Sequence, residues 1–394
     1  MQGYFRKRGD KWSFTLDRGM EPATGKRKQK TKTGFATKKD AQLAAARMAQ
    51  ELDGGVYIEE QNILFKDFAA EWLKLYESTG KVKISTVRVR KHEIGALSPY
   101  FANLQMKKVT KKIYQDALYS LKDHDEYAHN TLKGIHRAGK MIFAKAVEMD
   151  VIKIDPTVYA QLPVSQKTVE ELEGEVDVPK YLEKEELGLF LRTAREEGKE
   201  IDYTAFVLLA YSGLRVGEML ALKWKDINFE TGEISITKTY YNPTNNMVKY
   251  KLLPPKTKKS RRVIDVPQIV LVELERHRSR QNIIKMKYRK SYYDEGFVFT
   301  KIHKNPGYPE LIKIIENRMT GLLKLAGLNT VLTPHSLRHT HTSLLAEAGV
   351  DLLQIMDRLG HTDDQTTKNI YLHVTKTMKK EASQKFAQLM ENLF

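Results

Sequence analysis

The segment Thr333-Pro334-His335-Ser336-Leu337-Arg338-His339-Thr340, followed by Leu359-Gly360-His361-Thr362-Asp363 and then Ile370-Tyr371-Leu372-His373, decides how the chain is organised. Thr333 is a good N-cap and Pro334 suits the first helical position. A helix starting there sets His335 and Arg338 three apart on one face. Gly349 reads as a helix end, Asp351 as the cap of a helix over 352–359, and Gly360 as its stop, so His361 falls in a tight turn. A third helix is expected from Asp363 or Asp364, carrying Tyr371. Short helices thus bring two imidazoles, a guanidinium and a phenol towards one another. Arginine grips phosphate through paired N–H donors. Histidine moves a proton near neutral pH, and tyrosine can act as a covalent nucleophile. The combination points to phosphoryl transfer onto a protein side chain.

Working outward, the chain has 394 residues, enough for two or three domains. Its 66 Lys and Arg against 49 Asp and Glu give a formal net charge of +17, which favours a polyanionic partner, with nucleic acid ahead of acidic membrane. The absence of cysteine excludes disulfide scaffolds and thiolate metal sites and fits a reducing cytosol. The N-terminus, MQGYFRKRGDKWSF, has no apolar signal core, and no run is long enough to span a bilayer. The expectation is a soluble intracellular protein with no membrane partner.

The pattern predicts a mainly α protein with small antiparallel β-sheets, an α+β class in three parts. Residues 1–55 form a β-sheet-plus-helix domain. Strands are expected at 3–8, 12–16 and 26–32, with a turn at Arg8-Gly9-Asp10, and Thr37 caps a helix whose apolar side is Ala41, Leu43 or Ala44, and Met48. A β-ribbon can enter a major groove, and Arg6, Lys7, Arg8, Arg27 and Lys28 flank this one. Residues 63–165 read as helices, with Phe65, Phe68, Ala69, Trp72, Leu73 and Tyr76 as a core stripe. Ser85 or Thr86 is expected to cap a helix from Val87 to Leu97, and Asn130 or Thr131 to precede one from Leu132. Residues 161–178 read as a linker. From 178 to 394 the pattern is mixed α/β. Asp202 is expected as a cap, Arg215 begins a helix after Ser212-Gly213, strands run 226–229, 233–240 and 262–266, and a helix runs 308–326. The tail, 378–394, carries Phe386, Leu389, Met390 and Leu393 at helical spacing.

The pattern H-x-x-R, then L-G-H, then a tyrosine ten residues on resembles the tyrosine recombinase (phage integrase) family. Ser212-Gly213-Leu214-Arg215-Val216-Gly217-Glu218 looks like that family's first arginine box. The resemblance makes residues 1–55 similar to an arm-site-binding domain, 63–165 to a core-binding domain, and 178–394 to the catalytic domain with a C-terminal tail. It implies that Arg215 and Arg338 hold the non-bridging oxygens of a scissile phosphate and that Tyr371 is the nucleophile. Facing arginines favour the phenolate. By the same resemblance His335 is the base that accepts the phenolic proton, and His361 donates a hydrogen bond to phosphate or orients Tyr371. Lys256, expected at a β-hairpin tip within Pro254–Arg262, is the general acid, with Lys258 and Lys259 competing for that role or touching DNA. Glu218 is expected to anchor cations. The tail is expected to dock on a neighbouring protomer, or to pack at home.

A metal site is not expected. His335 and His339 have zincin spacing, but Ser336 stands where the general-base glutamate belongs, and His339 and His341 share no face. No GxxxxGK[ST] loop is present, so neither nucleotide nor any other cofactor is implied. The implied function is a site-specific DNA recombinase of a mobile element, acting as a homotetramer on core-type and arm-type attachment sites, with accessory DNA-bending or directionality proteins. A type IB-like topoisomerase and a non-catalytic DNA-binding regulator are the alternatives.

Overall fold

Alternation builds the first sheet. Strands β1 (Gly3–Arg8), β2 (Lys11–Met20) and β3 (Arg27–Phe35) pair antiparallel in the order β1-β2-β3. Gly9, at φ +59°, makes the tight turn opposite the Arg8–Lys11 pair, as the left-handed position of such a hairpin requires. Phe14 and Leu16 point to helix α1 (Lys38–Asp53) and meet Ala41, Ala45 and Met48. Thr37 and Asp40 form the reciprocal cap: the Asp40 amide donates to Thr37 Oγ1 (3.1 Å) and the Thr37 amide to Asp40 Oδ2 (3.2 Å). Of the two alternatives on the apolar side, Ala44 packs and Leu43 is exposed.

The computed structural model describes residues 3–20, 25, 27–53, 62–164, 181–255, 258–360, 365 and 367–372, without the side chains of Arg18, Lys28 and Lys258. It divides into two compact units, 1–174 and 175–394. Among the described residues no helix is long and apolar enough to cross a membrane.

Residues 62–164 are helical: α2 (Phe65–Ser78), α3 (Ile84–Phe101), α4 (Lys111–Asp123) and α5 (His129–Glu148). Phe65, Phe68, Trp72, Leu97, Phe101, Tyr114 and Phe143 share one core. Two helix starts differ from expectation. Helix α3 begins at Ile84 with Lys83 in the N-cap position and no side-chain cap, so Ser85 and Thr86 lie inside its first turn. Helix α5 begins at His129 after Ala128, upstream of Asn130 and Thr131. Helix α3 also runs through Pro99 to Phe101. Burial of Leu97 and Phe101, one turn apart, outweighs the ~3 kcal/mol that an interior proline costs.

The second unit is organised around one buried helix. Helix α6 (Lys184–Glu196) opens with a capping box from Glu183 and Glu186. Helix α7 (Asp202–Ser212) is apolar nearly all round, and Ala205 through Ala210 are buried against α6, α9 (Gln268–Tyr288) and α11 (Pro334–Glu347). Asp202 is its first residue rather than its cap. The carboxylate accepts from the Lys199 amide (2.9 Å) and from Arg318 Nη1 (3.0 Å), a long-range partner. Helix α8 (Val216–Ala221) follows, then the strands, then α9, α10 (Ile312–Leu325), α11 and α12 (Leu352–Leu359). Helix α10 starts later than expected, because Pro309 bridges to Thr300 in extended form.

The strands make a broken ribbon. β4 (Ile227–Asn228), β5 (Glu233–Ile236) and β8 (Arg262–Asp265) form one sheet in the order β4-β5-β8, and β6 (Thr239–Tyr241) pairs with β7 (Lys251–Leu253) in another. The single strand expected over 233–240 is therefore two. Ile236 pairs with Arg262 and Thr239 with Leu253, so Thr237 and Lys238 on one arm face the excursion 254–261 on the other. The hairpin tip is 242–250, closed by Asn242 Nδ2 donating to the Asn246 carbonyl (2.6 Å). Lys256, expected at a hairpin tip, lies outside the described residues. Mainly helical, with small antiparallel sheets, the architecture is the α+β class read from the pattern.

Candidate active site

Helix α7 delivers the first arginine. It ends at Gly213 (φ +63°), where an added Cβ would lie 2.7 Å from Leu359 Cδ2 and 2.8 Å from His341 Cδ2. Only glycine satisfies both the left-handed backbone and the close approach. Leu214 is buried, and Arg215 takes the N-cap position of α8. Its Nη1 donates to Glu218 Oε1 (2.8 Å), and its amide donates to Glu218 Oε2 (3.1 Å).

Glu218 is 3 % exposed, so it is no surface ion pair. Arg262 is its second partner, with Nη2 donating to Oε2 at 3.0 Å and Nη1 3.5 Å from Oε1. Burial alone pushes the Glu218 carboxyl up, but Arg262 and Arg215 together hold it below the usual carboxylate range.

Arg338 joins two of the motifs. Thr333 and Ser336 cap α11, with Pro334 in its first turn, as the spacing predicts. One turn on, the Arg338 guanidinium is 2 % exposed. Its Nη1 donates to the Gly213 carbonyl (2.5 Å) and its Nη2 to the Leu359 carbonyl (2.6 Å). The first carbonyl lies two residues before Arg215, and the second two residues before His361. Asp351 caps α12 through the Leu353 amide (2.8 Å), and Gly360 ends it at φ +69°. A Cβ on Gly360 would lie 3.1 Å from the Lys259 carbonyl and 3.2 Å from Ser260 Cα, so this turn rests on the end of the 254–261 excursion.

His335 is exposed in the first turn of α11, its ring edge-on to His339 at 4.8 Å. Tyr371 lies in the helical stretch 367–372, half-buried against Ala346, Ile355 and Leu359. It is thus seated on α12, the helix whose last turn Arg338 grips. His361, Lys256 and the tail 378–394 lie outside the described residues, as do the side chains of Lys28 and Lys258. Lys259 is exposed, as are Arg6, Lys7 and Arg8. Arg27 is exposed too and ion-paired with Asp17.

Two side chains escaped the sequence reading. Arg262 and Arg358 tie the site together: Arg262 Nε donates to the Arg358 carbonyl (2.8 Å), and Arg358 Nη1 donates to Asp265 Oδ1 (2.7 Å). The available signal was strand alternation, since Arg262 is in phase with buried Ile264 while Val263 points out. His341, weighed only as a metal ligand, is a buried strut. Its Nδ1–H donates to the Ala210 carbonyl (2.9 Å) and its Nε2 accepts from Arg358 Nε (3.2 Å). Burial, then the Arg358 charge, pushes its pKa down to about 4, so the ring is neutral.

Residues 180–378 match the phage integrase family model. The chain belongs to the phage integrase family. Residues 4–52 of this family member match the arm DNA-binding domain, and residues 64–122 the N-terminal SAM-like domain of phage integrases. It is 28 % identical over 354 residues to the integrase of Staphylococcus phage L54a, covering 87 % of this chain and 98 % of that one. It is 26 % identical to the ICEBs1 integrase of Bacillus subtilis, covering 94 % and 95 %. In fold it resembles the Tn1549 transposon integrase in complex with a circular intermediate DNA (TM-score 0.62, 23 % identity, 80 % of this chain and 99 % of that one). It also resembles a lambda integrase dimer bound to a core site (TM-score 0.55, 15 % identity, 93 % and 94 %).

Proposed function

We propose that this integrase-family chain is the site-specific recombinase of a mobile element, cutting and rejoining DNA through a 3′-phosphotyrosyl bond. The observation that carries the mechanism is the Arg338 guanidinium, which draws the Arg215 loop and the Leu359-Gly360 turn onto one helix. A guanidinium has five N–H donors, so one side chain can brace carbonyls and face a phosphate. Arg215 and Arg338 neutralise the non-bridging oxygens, whose charge grows in the transition state. Tyr371 Oη attacks phosphorus in line, the P–O5′ bond breaks, and a 5′-hydroxyl leaves. Its proton comes from Lys256, and the phenolic proton passes to His335. His361 donates to phosphate or orients Tyr371. Attack by a second strand's 5′-hydroxyl reverses each step, so the energy of the broken bond is kept in the covalent adduct and no nucleotide is consumed.

Two duplexes need four such sites, which makes a tetramer on DNA the working assembly. Residues 1–55 would bind arm-type sites, through the exposed Arg6 and Arg8 on the open face of the sheet beside Ser13 and Thr15. Lys7 and Arg27 flank that sheet, and Lys28 lies next in sequence to Arg27. Residues 63–165 would grip core-type DNA, as would the catalytic domain, 178–394. Accessory bending or directionality proteins and a place in the bacterial cytoplasm belong to the same reading. The test is recombination between two attachment duplexes in a chelator without nucleotide. Joined recombinant strands are expected. Relaxation of a single supercoiled circle without strand exchange would instead favour a topoisomerase.

A further inference from the structure

Glu218 is one buried carboxylate with two cationic partners, and the mechanism above uses only one of them. The other, Arg262, has a side chain only 6 % exposed. It touches three pieces of the site at once: Glu218 through Nη2 (3.0 Å), the Arg358 carbonyl at the end of α12 through Nε (2.8 Å), and the Ser260 carbonyl, four residues on in sequence from Lys256, through Nη1 (3.3 Å). The Arg215 side chain is the more open of the two, at 36 % exposed.

We propose that Arg262 is a positioning residue for strand cleavage: it shares the Glu218 carboxylate, so that Glu218 holds Arg215 in place without cancelling its charge. Among the described residues, the one carboxylate and two guanidinium groups of this cluster sum to a net single positive charge. Without Arg262 the carboxylate and Arg215 sum to zero, and a phosphate arriving there meets a closed ion pair. Arg262 and Glu218 are both buried, so solvent screens their share of that difference little. Lysine cannot replace Arg262 fully, because one ammonium cannot span Glu218 and the Arg358 carbonyl in the fixed fork of a guanidinium. The inference deepens the proposed function and rests on it.

The experiment uses the full-length chain, as wild type, R262M and R262K, on a nicked duplex spanning the element's mapped crossover site. The scissile linkage is made in three forms: an ordinary phosphodiester, a neutral methylphosphonate, and a 5′-bridging phosphorothiolate whose leaving group needs no proton. On the ordinary linkage R262M should cleave about 10²-fold more slowly, as when one charge-stabilising donor is lost, with R262K in between. The deficit should shrink to a few-fold on the methylphosphonate, which no longer needs the cation, and persist on the phosphorothiolate. No deficit on the ordinary linkage, an equal deficit on all three, or recovery on the phosphorothiolate would overturn the proposal. Should R262M not fold, R262M/E218Q removes the stranded carboxylate too. Compared with Glu218→Gln alone it should show no added loss, and an added loss would count against the idea. Wild-type chain that captures no DNA would overturn the proposed function itself. Wild-type capture with an equal deficit on all three linkages overturns this inference alone.

Discussion

Arg338 serves the fold as well as the proposed chemistry. Arg338→Met would strand the Gly213 and Leu359 carbonyls in a buried place, which costs about 2–4 kcal/mol. Arg338→Lys keeps a charge and can reach one carbonyl, so its urea midpoint should fall by less. Equal midpoints for wild type and Arg338→Met would show that the two bonds do not hold the site together. His341 gives the pH dependence. Its pKa is 6.5 in an ordinary setting and about 4 here, lowered by burial first and then by Arg358 and Arg338. The unfolded chain therefore takes up the proton first. Stability from His341 is complete above about 6.5, drains as pH falls towards about 4, and amounts to roughly 3 kcal/mol at most. Burial lowers His277 as well. In His341→Gln the loss of unfolding free energy between about pH 7.5 and about pH 4.5 should be smaller than in wild type; an unchanged loss would assign the acid sensitivity elsewhere. At this scale the sequence exposed Arg215 and Glu218, three residues apart and locally bonded. It hid Arg262, whose carboxylate partner lies on another element and is set by tertiary packing.

The turns that present the motifs make their own prediction. Gly213 and Gly349 both have positive φ, +63° and +79°, but an added Cβ meets Leu359 and His341 at Gly213 and nothing within 4 Å at Gly349. Gly349→Ala should cost only the left-handed strain, about 1–2 kcal/mol. Gly213→Ala adds overpacking of ~1–3 kcal/mol and should melt clearly lower. Equal melting temperatures would mean that the Gly213 approach is not tight. Elements with chemical punctuation were readable from sequence: Thr333-Pro334 and Asp351 at helix starts, Gly213 and Gly360 at helix ends. Those without it were not. Helices α3 and α5 start after Lys83 and Ala128, where no side chain caps, so no residue type marks their first turns. The break between β5 and β6 was also hidden, since Glu233 to Tyr240 reads as one alternating run and only the pairing partners divide it.

For the whole molecule, a net charge of +17 predicts DNA affinity that falls about 10³-fold or more between about 50 and 200 mM salt, if six to ten phosphates are neutralised. A flat salt dependence measured by anisotropy would contradict broad phosphate contact. Deleting residues 1–55 should leave cleavage of a short core site intact and impair recombination between long attachment sites; equal loss of both would refute separate duties for the two DNA-binding parts. All of this depends on one phenol among 19 tyrosines reaching the scissile phosphate. The decisive measurement is mass spectrometry of the peptide left attached to the 3′ end after capture on nicked crossover-site DNA. The account predicts a phosphotyrosyl adduct on the peptide containing Tyr371, lost in Tyr371→Phe while DNA binding persists. An adduct on any other tyrosine, or capture that survives Tyr371→Phe, would contradict it.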